Sequence, residues 1–178
     1  MSNELDQARV VASLSQATVE VFSTMLGMEL VAQPAHRQSG KPEPTNGVVT
    51  LIGLAGKWVG TGSICCGPET ARKISGQLLM SEFASVDQEV LDALGEVTNM
   101  IIGNFKNSIE DLAGPLGLSI PVVIYGHNFT ASSLHAADWT VVPFQFPDGP
   151  MEVKICLSLQ PEPSQNRRPL HPNAQVAV

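Results

Sequence analysis

The sequence predicts an α+β fold in which long helices pack on one face of an antiparallel sheet. Three observations carry this. The elements run helix, two strands, two helices, three strands, which is not the strict strand–helix alternation of a parallel α/β fold. Residues 151–160, MEVKICLSLQ, alternate apolar and polar without a break, the mark of a half-buried antiparallel strand. And the segment ending near Ala113 carries Leu94, Val97, Ile101, Phe105, Ile109 and Leu112 at helical spacing along one side.

Taken in order, residues 3–30 read as a first helix, with Val11, Leu14, Phe22 and Met25 as its stripe. Residues 33–46 hold three prolines and read as an inserted loop. VVTLIGL (48–54) and WVGTGSIC (58–65) read as two strands joined by a hairpin turn at Ala55-Gly56-Lys57. Pro68 suits the first position of a second helix, and Glu69 complements its dipole. Ser85 and Gln88 match a capping box opening the third helix. Gly114 and Pro115 stop it. Strands follow at 119–130, 139–146 and 151–160. Residues 1–160 thus read as one domain, and 161–178, with four prolines, as a disordered tail.

The 178-residue chain is 43% hydrophobic and 15% charged, with a formal net charge of −7. That acidity argues against nucleic acid or an anionic membrane as partner. No segment reads as a signal peptide or a transmembrane helix. Cys65, Cys66 and Cys156 form neither a disulfide framework nor a zinc spacing, which suggests reduced thiols in a cytoplasmic protein. Cys65 and Cys66 read as packing thiols, although a strand end before a helix could lower a thiol pKa. Trp58 and Trp139 read as core or sheet-face residues, and the match Asn128-Phe129-Thr130 to a glycosylation sequon reads as chance. His36, His127, His135 and His171 show no ligand spacing. Gly60-Thr61-Gly62-Ser63 lacks the ending of a phosphate loop and reads as part of a hairpin.

On the third helix, Asp92, Glu96, Asn99, Gly103, Lys106 and Glu110 form a nearly straight polar stripe opposite the apolar one. A solvated helix face would look the same. Its glycines fit that explanation least, since an exposed helical glycine costs about 1 kcal/mol against alanine. Gly103 would let another surface approach, and Gly95, at the side of the wheel, would relieve crowding against a neighbouring element.

The stretch GEVTNMIIGN (95–104) resembles the signature helix of the CheC/CheX/FliY family of chemotaxis phosphatases. The family pattern is Asp or Ser, three residues, Glu, two residues, Asn and, further on, a Pro; this chain has Asp92, Glu96, Asn99 and Pro121. SIPVVIYG resembles the strand that follows, and a single signature helix matches the CheX type. The resemblance implies a CheC/CheX-like fold and a phosphatase acting on the aspartyl phosphate of CheY-like receiver domains. It implies that Asn99 orients the attacking water and that Glu96 pairs with a receiver lysine. An amide donates and accepts at once, so it can hold a water without competing as nucleophile, and a carboxylate suits an ammonium. Asp92, Gly103, Lys106 and Pro121 would border the contact. The protein would need no cofactor of its own, Mg²⁺ arriving with the receiver. The resemblance further implies a homodimer joined sheet edge to sheet edge, with strand 151–160 as the candidate edge. Two other readings remain: an adaptor or switch module that binds phosphorylated receivers without hydrolysis, and a purely structural dimerisation domain.

Overall fold

Asp6 caps the first helix, α1 (Gln7–Val21), by accepting from the Ala8 N–H at 3.2 Å. The helix widens into a π-type turn over Phe22–Leu26 and stops at Gly27, whose φ of +63° suits glycine. It is therefore shorter at both ends than the predicted 3–30. These elements come from a computed structural model that describes residues 5–40, 43–131, 138–146 and 148–160. The predicted tail lies outside them.

The expected loop at 33–46 contains a strand, β1 (His36–Gln38). The hairpin appears as predicted but with longer arms, β2 (Thr45–Gly56) and β3 (Trp58–Cys66), in register from Val48↔Cys66 to Leu54↔Gly60. Next comes α2 (Pro68–Leu79), with Pro68 in its first turn. The long α3 spans Gln88–Ser108. Its cap is Asp87, which accepts from the Val90 N–H at 3.0 Å, so the capping box expected from Ser85 is not used. The helix breaks at Ile109, and a short α4 (Glu110–Ala113) ends at Gly114 with φ +73°. The predicted strand at 119–130 is two pieces, β4 (Leu116–Leu118) and β5 (Val122–Phe129). Last come β6 (Trp139–Phe146) and β7 (Gly149–Leu159).

The seven strands form one antiparallel sheet in the order β1-β6-β7-β3-β2, with β4 and β5 both on the outer side of β2. Strand 151–160 was the expected edge; β7 instead lies between β3 and β6. Among the described residues the free borders are three-residue β1 and, beyond β2, the outer sides of three-residue β4 and of the longer β5. Gly60–Ser63 is held within β3 by both neighbours, as a strand rather than a phosphate loop.

The helices cover one face. α3 packs over β2, β3 and β5, while α1 and α2 pack against α3 and reach β6 and β7. Ile52, Ile64, Val142, Phe144, Met151, Val153 and Ile155 meet Leu94, Val97, Ile101, Ile102 and Phe105 in one core. Gly62 lets the helix come close, since a Cβ there would sit 2.6 Å from Ile102 Cδ1. Among the described residues no helix is long and apolar enough to cross a membrane.

A buried polar chain ties the sheet to the helix. Thr98 Oγ1 donates to the Leu94 carbonyl at 2.8 Å, so the Thr50 hydroxyl supplies the proton of the 2.7 Å bond between the two hydroxyls. Thr50 Oγ1 accepts in turn from the Ile64 N–H at 3.0 Å. Both threonines are fully buried. Thr98→Val keeps the shape and leaves the Thr50 hydroxyl only its long 3.5 Å bond to the Ile64 carbonyl, so it should cost about 1 kcal/mol. Urea denaturation measures this; a change of only a few tenths would mean that the bond contributes nothing.

Candidate functional site

The buried residues of α3 fix its rotation and so decide which side chains face solvent. With Leu94, Val97, Thr98 and Ile101 turned to the sheet, Asp92 and Glu96 stand exposed, and Asn99, Gly103 and Lys106 are half-buried. Glu96 and Asn99 stand three positions apart on a regular helix, which sets their Cβ atoms about 5–6 Å apart. Among the described residues, neither side chain enters a hydrogen bond or an ion pair; the ion pairs are Arg9–Asp111, Arg72–Glu69, Lys73–Asp148 and Lys154–Glu152. A carboxylate and an amide thus stand side by side with their hydrogen-bonding capacity unspent. Asp92 differs, because its Oδ1 accepts from Gln88 Nε2 at 2.7 Å, one turn back.

One flank of this face is built by the chain between β4 and β5. A Cβ on Gly95 would lie 3.3 Å from Val123 Cγ2 and 3.7 Å from Pro121 Cγ. Gly95 is the close-approach point at which α3 rests on β5, as its place on the wheel led us to expect. Pro121, half-buried, thereby stands next to the residue preceding Glu96. At Gly103 the nearest neighbour of a Cβ would be Leu118 Cδ1 at 4.0 Å. The glycine is open on its other sides.

Sequence reasoning missed Thr98 and Thr50, and gave Gln88 a different partner. Thr98 could have been found as the polar residue on the apolar side of the wheel, and Thr50 as its counterpart among the inward residues of VVTLIGL. Gln88 was assigned to a cap instead of to Asp92.

The cysteines offer no nucleophile near neutral pH. Burial pushes the Cys66 thiol up to about 12, with Cys65 adding to the rise. Burial also raises Cys65, against a smaller lowering by Lys154, and raises Cys156, against hydrogen bonding with Thr61. Packing thiols is the reading these values support. His36 and His127 are exposed; His135 and His171 lie outside the described residues. Among the described residues no group of three or more His, Cys, Asp or Glu is gathered as a metal site.

Residues 48–145 match the family described as Chemotaxis phosphatase CheX. The CheY-P phosphatase CheX of Thermotoga maritima is 28% identical over 133 residues, 71% of this chain and 81% of that protein. A CheC-like superfamily protein from Shewanella sp. PV-4 superimposes with a TM-score of 0.76 at 26% identity, covering 86% of this chain and 99% of that one. A chain of the CheX–CheY–BeF3–Mg²⁺ complex from Borrelia burgdorferi gives a TM-score of 0.73 at 28% identity, with 86% and 99% covered.

Proposed function

Because the chain belongs to the chemotaxis phosphatase CheX family, we propose that it hydrolyses the aspartyl phosphate of a CheY-like receiver domain. The observation that carries this is the uncommitted Glu96/Asn99 pair on the solvent face of α3, inside the matched region. In-line attack on a phosphoryl group asks the protein mainly for positioning and charge stabilisation. The Asn99 amide accepts from the attacking water and donates to it, aligning it with the phosphorus. The Glu96 carboxylate pairs with the receiver lysine that contacts the phosphoryl group and sets the register of the two proteins. Asp92, Gly103, Lys106 and Pro121 border the contact. Asp92 does so in an orientation held by Gln88. Mg²⁺ enters with the receiver, as part of the substrate, and the protein works where receivers do, in the cytoplasm.

A receiver labelled on its aspartyl phosphate should lose label faster when this protein is added. Unchanged loss together with phosphorylation-dependent binding would make the protein an adaptor. Absence of both would leave a structural domain.

The proposal includes a homodimer, with β5 in place of β7 as the joining edge. β5 is the longer free border and exposes Val122 and Tyr125. Sedimentation should give twice the 18.9 kDa chain mass. Val122→Lys with Tyr125→Lys should return it to the monomer, because lysines on an edge oppose strand pairing. A dimer that persists in the double variant would rule out this edge.

A further inference from the structure

Resting on the phosphatase reading, we infer that Ile120 is the apolar contact through which the Glu96/Asn99 face grips the receiver. The chain from Leu118 to Pro121 runs beside α3. Leu118 faces Gly103 and Pro121 faces Gly95, the two contacts that bracket Asn99. Eight helical residues rise about 12 Å and three extended steps cover about 10 Å, so the two segments keep pace. Ser119 and Ile120 therefore lie level with Asn99.

Ile120 is 84% exposed, yet its backbone is pinned from both sides. The Ser119 N–H donates to the Gly53 carbonyl at 2.9 Å, and Ser119 Oγ accepts from the Gly53 N–H at 2.8 Å. The same hydroxyl donates to the Ile120 carbonyl at 2.9 Å. Pro121 follows, which restricts the residue before it to extended backbone. Single exposed apolar side chains are ordinary. The backbone that carries this one is tethered at the rim of a site whose other exposed members, Asp92 and Glu96, are polar.

Charge sharpens the assignment. This protein carries a net −7, and a phosphorylated receiver pocket is itself acidic, so long-range attraction does not hold the pair together. Lys106 is the one cation on the α3 stripe. Desolvation of an apolar group beside Asn99 supplies affinity without charge. The occupant is the apolar rim next to the receiver's phosphorylation site.

The test titrates a CheY-type receiver from the host of this chain, phosphorylated with acetyl phosphate. Ile120→Ser should raise the half-saturating receiver concentration about tenfold or more and leave the saturated rate within about twofold. Ile120→Leu should restore the wild-type value, and thermal melting of both variants should match wild type. Asn99→Ala, run alongside, should lose the saturated rate. Unchanged half-saturation in Ile120→Ser overturns the docking assignment, as does a lowered saturated rate at unchanged half-saturation. If Asn99→Ala keeps the saturated rate, the phosphatase reading itself fails.

Discussion

Asn99→Ala is expected to abolish stimulated phosphate loss from the receiver while leaving the fold intact. Asn99 is half-buried on a regular helix, and among the described residues its amide makes no bond within the protein. Alanine favours a helix more than asparagine does, so stability should hold or rise slightly. On the proposed mechanism, what disappears is the group that orients water. A hundredfold acceleration corresponds to about 2.7 kcal/mol of barrier, and one well-placed hydrogen-bonding group can supply that much. Glu96→Ala should behave differently. It removes the charge that the proposed docking uses to fix register, so the half-saturating receiver concentration should rise more than the saturated rate falls. Full activity in purified Asn99→Ala would end the assignment.

Gly95→Leu should produce the second large effect, on stability and activity together. The helix meets β5 at Gly95, where even a Cβ would press Val123 at 3.3 Å. A leucine has no cavity to enter and must lift α3 from β5 or displace Pro121. Overpacking of this kind costs about 1–3 kcal/mol. The movement would also tilt Glu96, the next residue, so phosphatase activity should fall further than stability alone explains. Gly95→Ala is the control: its better helix propensity offsets the tight contact, leaving stability within about 1 kcal/mol of wild type. Guanidinium denaturation beside the phosphate assay separates the two. A leucine variant as stable and active as wild type would show that this contact does not set the helix position.

Much of this was legible because the signals are local. Pro68 opens α2, the alternation of 151–160 is β7, and the apolar stripe of α3 is the buried one. What failed was non-local or competitive. β1 is three residues long and exists only because β6 pairs with it, which no pattern within QPAHRQSGKPEPTN can announce. Alternation tells which faces of β7 are buried but not which strands flank it, so the pattern alone cannot separate this interior strand from an edge. Ser85 and Asp87 are both good caps, and the backbone chose the one adjacent to Gln88. In the site, spacing and resemblance together singled out Glu96 and Asn99. The wheel could not supply the neighbours that give Gly95 its purpose, because Pro121 and Val123 come from a later strand.

The pairing of β1 with β6 also shapes how the chain assembles. His36 cannot find Val141 until more than a hundred further residues have left the ribosome. The α3 platform is different, since its floor of β2, β3 and β5 is complete by residue 129. The proposed docking face can therefore settle before the sheet is complete, and the β1–β6 pairing, like β7, closes later, at the slow pace typical of distant strand pairings.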